Sequence, residues 1–276
     1  MAETAIMYDS SKCTACKGCQ VACKQWNQLS SPLSSDLYTY TKSFQAPLDL
    51  TPKTWLIINF SEEDKEVGVD WNFMRNSCFH CTEAACEKAC PVGAITHAEN
   101  GAVSINQDKC IGCRYCVASC PFGVPRWDEA TNTTFKCWQC QDRTAAGRKP
   151  ACVSTCPTGA LQFGDRADML AAARDRVATL KEAGFTKAEM YGENELGGLH
   201  TIMVAQRGLE AHGLIRDPKI GLTDSWQLLK PLGAIAAAAT VGGLGFSYFM
   251  ARNYSRETLV LDDATDQLVP VTEVKK

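Results

Sequence analysis

The spacing of apolar side chains divides this chain into three stretches of different character. Up to about residue 164, apolar positions come in short runs broken by turn residues. Ala94-Ile95-Thr96-His97-Ala98-Glu99 and Ala102-Val103-Ser104-Ile105 flank Asn100-Gly101, which predicts a hairpin closed by a type I′ turn. Pro125-Arg126-Trp127 and Thr134-Phe135-Lys136 predict a looser hairpin around Asn132. Trp55-Leu56-Ile57-Ile58-Asn59-Phe60 reads as a strand inside an insertion, residues 24–77, that also holds Pro32, Pro47 and Pro52. This insertion looks like packing or partner surface rather than chemistry. In the second stretch, residues 165–225, Met169, Leu170, Ala173, Val177 and Leu180 recur at helical spacing. Asp165 can cap that helix and Gly184 can stop it. Leu199 to Ala205 then reads as a strand, so this stretch is expected to brace what precedes it.

The third stretch stops alternating. From Pro231 to Ala251, 21 residues pass without a charge, about 31 Å as a helix and enough to cross a bilayer. Lys230 and Arg252 bracket the run, and Trp226, Tyr248 and Tyr254 are placed for the two interfaces. Ala234, Ala238 and Gly242 lie four apart, a small-residue face suited to another membrane helix. The expected span is 226–252, followed by a polar tail, 253–276. The plainer alternative is an Ala/Gly-rich buried helix; the position of the run after a completed core favours the span. Arg216, Lys219 and Lys230 before it and Arg252 and Arg256 after it leave orientation open.

Composition narrows the function classes. With 28 basic and 31 acidic residues and a net charge of −3, the protein carries no nucleic-acid footprint. No GxGxxG or GxxxxGK[ST] loop is present, so nicotinamide, flavin and ATP sites lack support. The sixteen cysteines change the picture entirely. They form four groups of four: Cys13, Cys16, Cys19, Cys23; Cys78, Cys81, Cys86, Cys90; Cys110, Cys113, Cys116, Cys120; and Cys137, Cys140, Cys152, Cys156. The first and third groups read C-x2-C-x2-C-x3-C, and the last three groups end in Cys-Pro. This is the thiolate spacing of bacterial-type ferredoxins, whose fourth cysteine ligates the other cluster. Four [4Fe–4S] clusters are expected, and with them a path for electrons.

Two other uses of sixteen cysteines compete with this one. Disulfides dominate small secreted domains with little core, whereas this chain is 276 residues at 45% hydrophobic and no secretory signal peptide is read ahead of Cys13. Structural zinc brings together two separated Cys-x-x-Cys knuckles, unlike the triple run seen here. The four histidines, His80, His97, His200 and His212, are scattered; His80 could donate to a cluster sulfur, and is otherwise read as partly exposed. No nucleophile, acid/base pair or open metal site is visible, so no catalytic residue is expected.

The sequence resembles the iron–sulfur (beta) subunits of membrane-bound respiratory formate dehydrogenases, within the wider beta subunits of molybdenum or tungsten pterin oxidoreductases. The resemblance rests on Cys13-Thr14-Ala15-Cys16-Lys17-Gly18-Cys19-Gln20-Val21-Ala22-Cys23-Lys24-Gln25-Trp26-Asn27 and Cys110-Ile111-Gly112-Cys113-Arg114-Tyr115-Cys116. Cys152-Val153-Ser154-Thr155-Cys156-Pro157-Thr158-Gly159-Ala160 and Gly213-Leu214-Ile215-Arg216-Asp217-Pro218-Lys219-Ile220 also carry it. Nitrate reductase relatives have Trp where this chain has Cys113, and the first group has Lys24 in place of proline.

The resemblance implies an α+β fold. It would comprise two ferredoxin-like four-cysteine-group modules over residues 1–164, the helix–strand extension 165–225 and one C-terminal transmembrane helix. It also implies which cysteines share a cluster. Cys13, Cys16 and Cys19 would take Cys156, and Cys23 would join Cys137, Cys140 and Cys152. Cys78, Cys81 and Cys86 would take Cys120, and Cys90 would join Cys110, Cys113 and Cys116. The implied partners are a catalytic alpha subunit with a molybdenum or tungsten pterin, a di-haem cytochrome b that reduces quinone, and membrane lipid. The implied location is the bacterial inner membrane, single-pass, with the cluster domain on the periplasmic side, exported folded with the catalytic subunit. A hydrogenase or polysulfide reductase could use the same relay; a zinc-stabilised scaffold and a free polyferredoxin are the rivals of other classes.

Overall fold

The strand that opens the chain, β1 (Thr4–Asp9), forms the centre of the fold in the computed structural model. The structure describes residues 3–30, 43–64, 66, 68–253, 259–262 and 267–270, with residues 221–234, 253, 260, 262, 267, 269 and 270 as backbone only. After β1 come α1 (Gly18–Trp26), the hairpin β2 (Leu56–Asp64) and β3 (Val69–Ser77), and α2 (Ala85–Lys88). The hairpin β4 (Ile95–His97) and β5 (Val103–Ile105), then α3 (Tyr115–Ser119), follow. Next are the hairpin β6 (Arg126–Asp128) and β7 (Thr133–Phe135), α4 (Gln141–Ala145) and α5 (Ala151–Ser154). Last in this part are β8 (Leu161–Asp165), α6 (Arg166–Glu182), β9 (Glu189–Tyr191) and β10 (Thr201–Ala205). The helix α7 (Gly221–Asn253) and the hairpin β11 (Leu259–Asp262) and β12 (Gln267–Pro270) complete the chain. Contacts divide it into two units, Met1–Thr223 and Asp224–Lys276.

Four strands form one sheet in the order β8-β1-β10-β9, with β1 and β10 parallel and the outer pairs antiparallel. Strand periodicity sends alternate residues to opposite faces. Ala5, Met7, Ile202 and Val204 therefore pack against Leu170, Ala173 and Leu180 of α6. Ile6, Tyr8, Met203 and Ala205 face the other way, toward Phe79, Cys19 and Cys23. A central strand buried on both faces has no polar side to show, which is why β1 and β10 read as apolar runs. Burying Leu170 and Leu180 contributes about 1.5–3 kcal/mol each, so α6 braces the sheet from behind.

Several expected elements are present, with instructive differences. The helix over 165–183 is α6, but the Asp165 carboxylate makes no capping bond. Asp165 still belongs to β8, opposite Thr4, and the Arg166 N–H donates to the Glu3 carbonyl at 2.8 Å instead. Both short hairpins form where expected, as β4–β5 and β6–β7. The first is not closed by a type I′ turn, which needs two left-handed residues. Only Gly101 is left-handed (φ +84°), and Ala102 N–H donates to Asn100 Oδ1 at 3.2 Å. The insertion holds two long paired strands, from Leu56↔Ser77 to Asp64↔Val69, rather than one. Edge-on packing of Phe60, Trp71 and Phe73 stiffens them, and the Tyr8 hydroxyl donates to the Phe73 carbonyl at 2.9 Å. This hairpin is not mere surface, because it carries Arg75 into the interior.

Residues 226–252, expected to span a membrane, lie inside the 33-residue α7. The side chains of Trp226, Lys230 and Ala234 lie outside the described residues, as do Pro32, Tyr254 and Arg256. Among the described residues no helix is long and apolar enough to cross a membrane. The tail beyond residue 253 is not uniformly irregular, since β11 and β12 pair from Leu259↔Pro270 to Asp262↔Gln267.

Candidate metal centres

One backbone device is repeated at all four cysteine groups. The residue just before the second cysteine is left-handed in each: Ala15 (φ +51°), His80 (φ +50°), Gly112 (φ +68°) and Gln139 (φ +62°). At three of them that residue's N–H donates to the first cysteine's sulfur at 3.4 Å: Ala15 to Cys13, His80 to Cys78 and Gln139 to Cys137. A left-handed residue reverses the chain within two positions, so successive sulfurs point inward to a common space. Non-glycine residues adopt this conformation only at a cost of about 1–2 kcal/mol, and three such residues mark a geometry that the surroundings enforce.

The fourth cysteine of each group leaves that space. Cys19 and Cys23, Cys86 and Cys90, Cys116 and Cys120, and Cys152 and Cys156 are each four residues apart. They lie on or at the ends of the short helices α1, α2, α3 and α5. One helical turn carries the second member of each pair about 6 Å further along the same face. Each helix therefore serves two adjoining spaces. α1 packs on α5 and α2 packs on α3, so the groups exchange their fourth cysteines in pairs.

The resulting compartments have the following membership. Cys13, Cys16, Cys19 and Cys156 line the first, which no other cysteine lines. Cys23 lies beside Cys137, Cys140 and Cys152 in the second. Cys78, Cys81, Cys86 and Cys120 line the third. Cys90, Cys110, Cys113 and Cys116 line the fourth. None of the sixteen cysteines is joined to another in a disulfide, and among the described residues no three His, Cys, Asp or Glu side chains are arranged to hold a single metal ion. Every cysteine of the second compartment is buried, while Cys16 of the first and Cys113 of the fourth are exposed.

The electrostatics fit an iron–sulfur group. Burial, and then neighbouring cysteines, push the Cys23 thiol well up, and burial pushes those of Cys19, Cys86 and Cys140 up to about 12. Such thiols ionise only if a metal replaces their protons. Two cations are already buried among them. Arg75 lies by Cys152, Cys137, Cys19 and Cys23, and no carbonyl or carboxylate accepts from its Nε, Nη1 or Nη2. Lys136 Nζ lies 3.6 Å from Cys78 Sγ and 3.1 Å from the Cys137 carbonyl, and also donates to the Val103 carbonyl. A buried, unpaired guanidinium costs several kcal/mol, and ionised thiolates around a cluster are the negative charge it lacks. Lys136 also bridges the Cys137 loop of the second compartment and Cys78 of the third.

Sequence reasoning missed these two cations, because nothing local marks a lysine beside Cys137 or a strand arginine as buried. His80, read as partly exposed, is fully buried. Its Nδ1 accepts from Val103 N–H at 3.0 Å, so Nε2 carries the proton; burial and then Lys136 hold the ring neutral.

Crossed cysteine loops sharing their fourth ligands in pairs, on an α+β frame, define a ferredoxin-like [4Fe–4S] protein. Two family profiles described as "4Fe-4S dicluster domain" match, over residues 12–94 and 69–166. The sequence is 42% identical over 253 residues to the nitrate-inducible formate dehydrogenase iron-sulfur subunit of Escherichia coli (strain K12), covering 90% of this chain and 85% of that relative. The formate dehydrogenase iron-sulfur subunit of Haemophilus influenzae is 40% identical over 89% of this chain and 78% of its own length. The formate dehydrogenase-O iron-sulfur subunit of Escherichia coli (strain K12) is 39% identical over 89% of this chain and 83% of its own length. This protein belongs to the family of formate dehydrogenase iron–sulfur subunits.

Proposed function

We propose that this chain is the electron-transfer subunit of a formate dehydrogenase complex. In this reading its sixteen cysteines hold four [4Fe–4S] clusters, with the ligand sets of the four compartments. The observation that carries the reading is the crossed grouping: each compartment takes three cysteines from one group and one from another. Bound there, such clusters supply one-electron transfer over a wide range of potentials. The protein's part is to space and order them. α1 with α5 joins the first and second compartments, Lys136 the second and third, and α2 with α3 the third and fourth.

The exposed ends of the row suit docking. Cys16 marks the end that would face a molybdenum or tungsten pterin catalytic subunit, and Cys113 the end that would face a cytochrome b and quinone. No residue of this chain is assigned a catalytic role. The uncharged run Pro231–Ala251 in α7 supports a single membrane anchor, and the family resemblance supports a cluster domain on the periplasmic face of the inner membrane. Ile235, Val241, Leu244, Phe246 and Phe249 are exposed along it, a surface suited to lipid or to another membrane helix.

Purification in mild detergent tests the reading. A pterin-containing formate dehydrogenase subunit and a b-type cytochrome should co-purify with the chain. Deleting 226–276 should free the chain and its catalytic partner from the membrane and abolish quinone reduction. Co-purification with a hydrogenase or polysulfide reductase would keep the relay and reassign its source of electrons. A colourless zinc protein would overturn the reading.

A further inference from the structure

We propose that Arg75 and Lys136 are fixed counter-charges shared between neighbouring clusters, Arg75 between the first and second compartments and Lys136 between the second and third. Their role is to hold the reduction potentials there higher than the thiolates alone would set. The inference rests on the reading that the compartments hold clusters. Among the described residues these are the two lysine or arginine side chains that are buried, Arg75 at 1% and Lys136 at 5% exposure, and neither belongs to an ion pair with a carboxylate. Arg75 sits on β3 opposite Ile58, a residue that lines the first compartment, and its guanidinium lies by Cys19 on one side and Cys23, Cys137 and Cys152 on the other. Lys136 precedes Cys137 in the chain and reaches Cys78 of the third compartment.

Hydrogen bonding to oxygen does not account for the placement of Arg75, and accounts for only part of that of Lys136. Arg75 has no carbonyl or carboxylate acceptor, and what lies against its guanidinium is the sulfur of Cys152. Lys136 spends its donors on the Val103 and Cys137 carbonyls and the Cys78 sulfur, all within a site that offers no carboxylate. The outer compartments differ. Lys17 lines the first and Arg114 the fourth, but both reach solvent, where water screens their charge. Arg114 also stacks over Trp127. An electron arriving at the inner compartments adds one negative charge, takes no proton and breaks no bond. A desolvated cation beside it favours the reduced state, and does so without screening. The second compartment, flanked by both cations, feels the larger effect.

The test is a potentiometric titration of the purified complex followed by electron paramagnetic resonance, with iron and sulfide measured on each sample. Arg75→Gln should lower the potentials of the first and second clusters and leave the third and fourth in place. Lys136→Met should lower the second and third and leave the first and fourth. Arg75→Lys and Lys136→Arg should restore most of each shift. Unmoved potentials in an iron-replete neutral variant would overturn the proposal, as would equal shifts at all four clusters. Loss of a cluster in Arg75→Gln that Arg75→Lys repairs supports the need for charge; the same loss in both marks a packing residue and sinks the idea. A parent protein without iron would instead overturn the cluster reading itself.

Discussion

Gly112 and Ala15 occupy the same position in their cysteine loops, and opposite substitutions at the two should have unequal effects. Both are left-handed, at φ +68° and +51°. Ala15, His80 and Gln139 prove that this loop accepts a side chain there, so left-handed backbone alone, at about 1–2 kcal/mol, does not forbid Ala at 112. What forbids it is Asn132. A Cβ on Gly112 would lie closer than 3.0 Å, a separation Cβ atoms essentially never show, to the Asn132 carbonyl oxygen, Oδ1 and Cγ. Two of these atoms belong to a side chain that also accepts from Trp127 Nε1 at 3.2 Å, and the third is main chain in the β6–β7 turn. Overpacking of this kind costs about 1–3 kcal/mol, so the loop carrying Cys110 and Cys113 should be strained by about 2–5 kcal/mol in all. Gly112→Ala should therefore lose the fourth cluster selectively. Ala15→Gly should retain all clusters, with stability within about 1 kcal/mol of the parent, since relief of the left-handed strain offsets the added unfolded-state entropy. Gly159→Ala, left-handed with nothing within 4 Å, is the control for backbone strain alone. Iron content and the resonance spectrum of the three variants check this. Full iron in Gly112→Ala, or equal loss in Gly159→Ala, would refute the reasoning.

Three further predictions come from other parts of the fold. Asp9 is fully buried and accepts from Ser11 N–H at 3.0 Å and from Arg176 Nε at 2.8 Å, so Arg176→Met should cost about 2–4 kcal/mol in a denaturation series, with Asp9→Asn in the same chain recovering part of it. Cys113→Ser should leave a three-iron centre or an empty fourth compartment, impair quinone-linked turnover and spare dye-linked formate oxidation. Cys16→Ser should spare only dye reduction that bypasses this subunit; normal spectra and turnover in Cys113→Ser would contradict its ligand role and the order of the row. Burial, with Arg166 beside one ring and Arg207 beside the other, lowers His200 and His212 to about 4. The unfolded chain then binds protons near pH 6.5 that the folded chain refuses, so stability should fall as pH drops from about 6.5 to about 4. His212→Gln should flatten that slope by about one proton.

Local spacing encodes the part of this fold that is legible in the sequence. The cysteine groups, the two short hairpins and α6 all announce themselves within a dozen or so residues. The pairing of β1 with β10 does not, because Thr4–Asp9 and Thr201–Ala205 meet across nearly two hundred positions. Their all-apolar character is intelligible only once both faces are covered. Asn100-Gly101 marks the right turn but the wrong type, since Ala98 and Ala102 also enter the connection. His80 is legible as a loop residue, yet its burial depends on Val103, brought in by β5. Arg75 carries no local signal: in an alternating strand an arginine reads as a solvent-facing position, and the thiols that surround it come from α1, α5 and the Cys137 loop. The uncharged run in α7 is legible as a long helix, which the structure contains.

The claim that four crossed compartments hold four cubanes is tested most directly by counting atoms. Chemical analysis of the chain, purified without oxygen, should give about sixteen iron and about sixteen acid-labile sulfide per chain, with broad brown absorbance that bleaches on reduction. About four zinc per chain with no sulfide would contradict it.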